Sequence, residues 1–310
     1  MKVEILISTY NGEKYIKEQL DSLLSQSHGD YHITVRDDGS KDGTLNILRQ
    51  YQTENPERIA LIEDRQNLGY PDCFWTLLMH APEADLYAFC DQDDVWDRDK
   101  LKCCAEKCGA FDPSVPILYV HDYQLCDGDL QVYQDHRIDD RLLSRESIYK
   151  TIYYVMAPGF SMVLNQALRQ RIIRDALMKR SIPHDRWTLW CGMIAGTIVH
   201  DTRLLVKYRR HESTVTQTGK NNLIVLKEWW EEDVLGDRLA GWSRIAVYFA
   251  DCYKVETDRI GSHCYAKWRS IAGADKGLIA YFKRLFTPVR LKPTFIGEMV
   301  LRICFLLNKK

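Results

Sequence analysis

Paired cysteines, long apolar runs and an excess of charge are all missing from this sequence. Its ten cysteines are scattered over 310 residues with no C-x-x-C pair. Cys103, Cys104 and Cys108 lie close together, but no ordered Cys/His set accompanies them at zinc-finger spacing. Free thiols in a reducing compartment are therefore expected. No window reaches the ~18 uncharged apolar residues that a membrane-spanning helix needs. Met1–Leu6 runs straight into a strand pattern without a signal-peptide core, which predicts a cytoplasmic protein. The formal net charge of −1 excludes a globally basic nucleic-acid binder, so no nucleic-acid partner is expected. Internal repeats and low-complexity segments are absent too.

What is present is an ordinary globular composition, 45% hydrophobic, enough for a real core. The near-neutral total hides an asymmetry. From Lys276 to Lys310 eight Lys or Arg stand against one acid, Glu298. That segment carries +7, which leaves −8 on residues 1–275.

The first half alternates strand and helix signals. Val3–Ser8 is a short apolar run, followed by Ile16, Leu20, Leu23 and Leu24 at helical spacing. Tyr31–Arg36 reads as a second strand, stopped by Asp37-Asp38-Gly39-Ser40. A helix follows with Leu45, Leu48 and Tyr51. Arg58–Glu63, Leu86–Cys90 and Ile117–His121 read as further strands, with helices near Cys73–His80 and Asp99–Ala110. This alternation predicts βαβ units and a mostly parallel sheet. Met156–Leu164 and Ile198–Lys207 look like strands of a less regular second half, and the chain reads as helical from Asn222 onward.

In such sheets ligands bind outside the carboxyl ends of the strands. Three polar clusters fall there: Ser8–Tyr10, Asp37–Asp38 and Asp91–Asp94. The carboxylates of Asp91, Asp93 and Asp94 repel one another unless a cation sits among them, and oxygen ligands suit Mg2+ or Mn2+. The competing reading is a solvated loop that caps the next helix. Asp37-Asp38 is either a turn or a pair of acceptors for a base or ribose. His184-Asp185 precedes an aromatic helix with Trp187 and Trp190, so Asp185 is either an N-cap or a general base. Tyr208-Arg209-Arg210-His211 offers bidentate phosphate contacts and a metal-binding imidazole, or a basic surface loop.

Taken together, Ile7-Ser8-Thr9-Tyr10-Asn11-Gly12, Arg36-Asp37-Asp38-Gly39-Ser40 with Asp42-Gly43-Thr44, Asn67-Leu68-Gly69, Phe89-Cys90-Asp91-Gln92-Asp93-Asp94-Val95-Trp96, His184-Asp185 and Tyr208-Arg209-Arg210-His211 resemble the family-two, inverting glycosyltransferases. The resemblance runs from Met1 to about Thr216. It implies the GT-A fold, an α/β, Rossmann-like sheet flanked by helices. It implies a catalytic domain over residues 1–220, with a nucleotide-sugar half at 1–121 and an acceptor half at 122–220. A helical, C-terminally basic extension would occupy residues 221–310.

By the same resemblance Ser8, Tyr10, Asp38 and Asp91 hold the nucleoside of a nucleotide-sugar donor. Asp38 faces the base and Asp91 the ribose. Asp93 and His211 hold Mn2+ or Mg2+. Arg209, Asp94 and Gly159 border the diphosphate or donor sugar. Phe160, Ser161 and Trp187 face the glycan acceptor, and Asp185 is the catalytic base. Within the family, the Asp-Gln-Asp-Asp-Val-Trp form and the Ser-Thr-Tyr-Asn-Gly-Glu start are most similar to bacterial rhamnosyltransferases of surface-polysaccharide assembly. That similarity implies dTDP-L-rhamnose as donor; UDP-galactose, UDP-glucose and UDP-N-acetylglucosamine are the alternatives. The chain departs at Arg186, where the relatives carry an aromatic residue after His-Asp. A nucleotidyltransferase would want a Gly-rich, basic phosphate loop after the first strand, and Ser8–Glu13 supplies neither. A non-catalytic nucleotide-binding module would have no use for Asp185 and His211 beside an intact acidic cluster.

The basic C-terminal segment carries Leu278, Ile279, Phe282, Leu285 and Phe286 on one helical face, with Lys276, Lys283 and Arg284 on the other. Three uses are open to it. It could lie on an anionic membrane at the inner face of the cell, where a lipid-linked acceptor would be met. It could form a homodimer contact, or pack back on the catalytic domain. Met299–Leu307 is apolar but too short to span, and Arg302 interrupts it.

Overall fold

The structure, a computed structural model, describes residues 1–63, 66–154, 156–176, 182–211, 231, 236–261, 263–274, 277–292 and 294–307. The chain divides into two compact units. One comprises Met1–Ile138 and Ala157–Thr214, the other Asp139–Met156 and Val215–Lys310. The sequence gives no sign that Asp139–Met156 goes with the C-terminal unit.

The first unit is built on one sheet. Strands β1 (Val3–Thr9), β2 (Tyr31–Asp37), β3 (Ile59–Glu63) and β4 (Leu86–Cys90) pair in parallel in the order β3-β2-β1-β4. Parallel strands need crossovers, which helices α1 (Ile16–Leu24), α2 (Thr44–Glu54) and α3 (Asp72–His80) supply. Val3, Ile5, Leu6 and Ile7 are all fully buried, as a strand covered on both faces requires. Helix α1 turns Ile16, Leu20 and Leu23 into the same core.

Beyond β4 the sheet becomes mixed. Strand β8 (Met162–Asn165) runs antiparallel between β4 and β6 (Ile117–Cys126). Strand β9 (Thr197–Arg209) lies parallel to β6, and β5 (Val95–Trp96) closes the far edge against it. Strand β7 (Val132–His136) folds back on β6 as an antiparallel partner. Helices α4 (Lys100–Cys108), α5 (Gln166–Ala176) and α6 (His184–Ala195) complete this unit. Strands β1–β4 are thus parallel as the alternation predicts. The rest of the sheet adds antiparallel pairs through β5, β7 and β8; β5 is too short and β7 too polar to show in the sequence.

Strand order fixes the place of a ligand. After β1 the chain moves to β2 on one side, whereas β4 lies on the other side of β1. The loops leaving β1 and β4 therefore flank the switch point at the carboxyl ends of the strands, where α/β sheets bind ligands.

The second unit is helical: α7 (Arg238–Cys252), α8 (Lys254–Ile260), α9 (Cys264–Ala272), α10 (Leu278–Leu285) and α11 (Phe295–Leu307), with a 3-10 segment at Arg145–Ile152. Trp268, Phe249 and Tyr253 form its buried aromatic centre, and Trp268 donates its indole N–H to the carbonyl of Ala246 at 2.7 Å. Among the described residues no helix is long and apolar enough to cross a membrane. The expectation of helix from Asn222 onward lies outside the described residues as far as Trp230.

Candidate active site

The two loops at the switch point are bonded to each other. The amide of Tyr10 donates to Oε1 of Gln92 at 2.8 Å, and Nε2 of Gln92 donates back to the Tyr10 carbonyl at 3.1 Å. A β-carbon on Gly12 would collide with that Gln92 amide, so glycine is what lets the loops meet. On the other flank Asp37 accepts hydrogen bonds from Thr9 Oγ1 at 3.0 Å and from the amide and hydroxyl of Ser40 at 2.9 and 2.6 Å. Asp37 is thus a loop-fastening residue. Ser8 is half-buried, with its hydroxyl at the Cys73 thiol, and Tyr10 is exposed at the rim.

Asp38 is buried. Its oxygens accept the amides of Leu68 at 2.9 Å and Gly69 at 2.7 Å, and the Arg36 guanidinium. It therefore holds the Asn67-Leu68-Gly69 turn, in which Gly69 has φ +70°. Asp38, expected to face a base, is thus engaged with that turn.

The acidic cluster does not cap a helix; the cap position of α4 is Asp99. Asp91 and Asp93 are half-buried, and Asp94 is 0% exposed. Burial, then the charges of Asp93 and Asp185, pushes the Asp91 carboxyl up to about 7. Burial, Asp93 and Asp91 push Asp94 well above the carboxylate range. Oδ1 of Asp94 accepts the Arg209 amide at 3.0 Å, and its Oδ2 has no hydrogen-bond partner among the described residues. Asp94, expected to border the diphosphate or donor sugar, is thus buried and bonded to the backbone of β9.

Arg209 also departs from expectation. Its side chain is 2% exposed, with Nε donating to the Asp93 carbonyl at 2.8 Å and the two terminal nitrogens to the Gly128 carbonyl and Glu18. Its guanidinium lies over Tyr15, 4.4 Å from the ring centre. Arg209 braces the acidic loop from within; the alternation of β9 turns it inward. His211, two residues on, does reach the cluster, with Nε2 2.9 Å from Oδ2 of Asp93 and its ring 4.6 Å from Tyr15.

Lys100 was not predicted. It is fully buried, donates Nζ to the Phe160 carbonyl at 2.7 Å, and sits 3.3 Å from the centre of the Trp96 ring. Burial lowers it to about 7, against the attraction of Cys90, Asp94, Cys104 and Asp91. The sequence carried a signal: Lys100, Cys104 and Cys108 recur at i+4 on the buried stripe of α4.

Asp185 is not an N-cap. Pro183 occupies that position, and Asp185 lies in the first turn of α6, where a carboxylate suits the helix dipole. Oδ1 accepts the Arg186 amide at 2.7 Å and the Tyr70 hydroxyl at 3.4 Å. Tyr70, half exposed and likewise unpredicted, has its phenol pKa raised by burial, Asp185 and Asp91. Asp91, Asp185 and Tyr70 therefore share one electrostatic neighbourhood. Gly159 borders it, packed against His184. Phe160, Ser161 and Trp187, expected to face the acceptor, are all core residues. Phe160 packs on Tyr123 and Tyr208, and Ser161 bonds the Pro158 carbonyl.

Among the described residues no three His, Cys, Asp or Glu side chains gather to hold an ion. Asp93 and His211 offer one carboxylate and one imidazole. That set fits a Mg2+ or Mn2+ ion whose remaining ligands come from a substrate phosphate and water.

The mixed α/β sheet flanked by helices, with a carboxylate rim at its switch point, is a GT-A-like fold. Residues 4–171 match the family model Glycosyl transferase family 2, and the chain belongs to that family. An uncharacterized glycosyltransferase of Nostoc sp. is 27% identical over 209 residues, 67% of this chain and 62% of that protein. The dTDP-rhamnosyl transferase RfbG of Shigella flexneri is 37% identical over 99 residues, 31% of this chain and 34% of that protein. These matches span less than two thirds of either relative. Among solved structures, Staphylococcus aureus TarS 1–349 in complex with UDP-GlcNAc has a TM-score of 0.56 at 16% identity, covering 99% of this chain and 91% of that one. A mannosyltransferase from Pyrobaculum calidifontis in complex with GDP-Man and Mn2+ gives 0.54 at 18% identity, covering 99% and 86%.

Proposed function

We propose that this chain transfers a glycosyl group from a nucleotide-diphosphate sugar to a glycan hydroxyl, with inversion, and that the donor is dTDP-L-rhamnose. The observation that carries the reading is the gathering of Asp91, Asp93, Asp185 and Tyr70 at the β1/β4 switch point. The nucleoside would lie against Ser8 and Tyr10, with Asp91 toward the ribose and Asp38 acting through the turn it holds. Asp93 and His211 would hold Mg2+ or Mn2+, which when bound offsets negative charge on the departing diphosphate. The Mn2+ in the mannosyltransferase complex supports this.

Asp185 takes the proton of the acceptor hydroxyl. That oxygen bonds the anomeric carbon as the bond to the diphosphate oxygen breaks on the opposite face. One base and one displacement invert the centre. The acceptor is read as a growing surface glycan, lipid-linked and met at the inner face of the membrane.

The rhamnose assignment is supported by the Shigella enzyme. A second reading, UDP-N-acetylglucosamine, is favoured by Staphylococcus aureus TarS, named a poly(ribitol-phosphate) β-N-acetylglucosaminyltransferase, at 33% identity over 107 residues. A donor panel decides. Purified full-length protein is incubated with dTDP-L-rhamnose, UDP-galactose, UDP-glucose and UDP-N-acetylglucosamine, with Mn2+, Mg2+ or EDTA, and nucleoside diphosphate release is followed. Release from dTDP-L-rhamnose should exceed the others by about tenfold or more and vanish in EDTA and in Asp93→Ala. Preference for a UDP-sugar overturns the donor, and full activity in EDTA overturns the metal. Binding without release from any donor points to a non-catalytic module.

A further inference from the structure

Helix α11 is apolar around most of its circumference, but among the described residues only one side of it is covered. Leu301, Cys304 and Phe305 are buried, while Phe295, Ile296, Met299, Ile303, Leu306 and Leu307 are exposed. A helix with apolar residues on all sides belongs in apolar surroundings on all sides. Helix α10 repeats the pattern. Leu285 is buried, whereas Leu278 and Ile279 are each 76% exposed and Phe282 and Phe286 stack on each other in the open at 6.1 Å. The two stripes adjoin: Phe286 and Leu306 line one groove, and Tyr281 donates its hydroxyl to the Leu306 carbonyl at 3.2 Å. Ten of the nineteen exposed large apolar side chains among the described residues lie on this hairpin. Such a patch marks an interaction surface.

Charge selects the occupant. Residues 276–310 carry +7, and their one acid, Glu298, is held by Arg302 at 2.6 Å and by the amides of Leu291 and Lys292. Among the described residues of this segment no side-chain carboxylate is left unengaged. Lys283, one turn on from Ile279, and Arg290 are exposed beside the stripe. A second copy of this face would bring like charge against like charge, whereas an anionic lipid surface complements both the apolar stripe and its basic border.

We propose that the α10–α11 hairpin docks this protein on an anionic bilayer, lying in the interface with the exposed stripe among the acyl chains. Arg284 and Arg302 take no part. Arg284 donates to Tyr153, Ser243 and the Ile271 carbonyl, and Arg302 to four carbonyls and Glu298. The docking does not depend on the sugar that is transferred.

The test is sedimentation of the full chain with vesicles of phosphatidylcholine alone and of phosphatidylcholine with phosphatidylglycerol. The protein should pellet with the anionic vesicles, less so as salt rises, and stay behind with the neutral ones. The triple variant Ile279→Ser/Phe282→Ser/Met299→Ser should partition at least about tenfold more weakly, since each side chain gives up most of a buried apolar group's transfer energy. Lys283→Glu/Arg290→Glu should weaken anionic binding with the apolar stripe intact, and decides the matter if the triple variant does not fold. Equal partition of wild type and both variants overturns the proposal. So does absence of vesicle binding together with self-association that the triple variant abolishes, because a second copy then covers the face.

Discussion

A β-carbon on Gly159 would stand 2.6 Å from Nε2 of His184, and that crowding separates the roles of two adjacent residues. His184 is buried among Phe74, Phe89 and Tyr70, with its ring stacked 4.3 Å from Phe74. Burial lowers its pKa to about 4, so the imidazole is neutral in ordinary buffers. Enclosed in that way, it has no route to an acceptor proton. Asp185 stands one residue on at the open end of α6, beside Tyr70. Asp185→Asn should therefore lower the turnover number by ~10²-fold or more, the usual size for a lost general base. Donor-nucleotide affinity, measured by calorimetry, should stay within a factor of about two, well below one tenfold step of binding energy. Loss of nucleotide binding instead would make Asp185 a donor contact. The sequence brought His184-Asp185 to notice, yet it could not say which side chain faces out, because a helix start leaves burial to its neighbours. The same blindness put Phe160, Ser161 and Trp187 at an acceptor surface. Residue type and position along the chain agree with that reading, and only packing shows that all three are core.

Helices and strands were more legible than side-chain directions, for a physical reason. A buried parallel strand must be a continuous apolar run, and its crossover helix must show a 3.6-residue stripe. Both signals are strong in β1–β4 and α1–α3. The two-residue β5 has no periodicity to read, and β7 exposes Val132 and Tyr133, so neither stands out. In the second unit the apolar stripes predict helices correctly, but what joins them is a charge. Arg302 projects from α11 and donates to the carbonyls of Arg284, Leu285, Thr287 and Val289 at 2.6–3.2 Å, closing the end of α10 where carbonyls lack helical partners. In the sequence the same arginine only breaks an apolar run. Arg302→Met keeps the stem and removes the donors. It should destabilise the second unit by roughly 1.5–3 kcal/mol, the range for hydrogen bonds to a charged group. Urea unfolding should register the loss together with faster hydrogen exchange in α10. Arg302→Lys should recover only part, since one ammonium cannot serve a fork of acceptors. A change in Arg302→Met below ~0.5 kcal/mol would show that water serves those carbonyls equally well.

Over the whole chain, charge and hydrophobicity are partitioned together: residues 1–275 carry −8, and the last 35 carry +7 with an apolar stripe. A tail of that composition looks removable, and a truncation after Gly273 is the obvious way to study the catalytic unit alone. The packing argues otherwise. Leu285, Leu291, Leu301, Cys304 and Phe305 are buried, and Arg284 satisfies Tyr153, Ser243 and the carbonyl of Ile271. Gly273 itself, at φ +79°, ends α9 in a left-handed turn against that guanidinium. Each large apolar side chain lost from a core forfeits about 1.5–3 kcal/mol. Four or five together reach the ~5–15 kcal/mol by which a whole domain is stable. The chain ending at Gly273 should therefore leave residues 236–273 unable to hold their fold, seen as aggregation on expression or as rapid proteolysis within that stretch. Substitutions confined to the exposed stripe, such as Ile279→Ser/Phe282→Ser/Met299→Ser, should leave the proteolytic pattern and the unfolding midpoint unchanged. A soluble truncation with α7 and α9 as protease-resistant as in the full chain would mean that the buried face of the hairpin adds little to this unit.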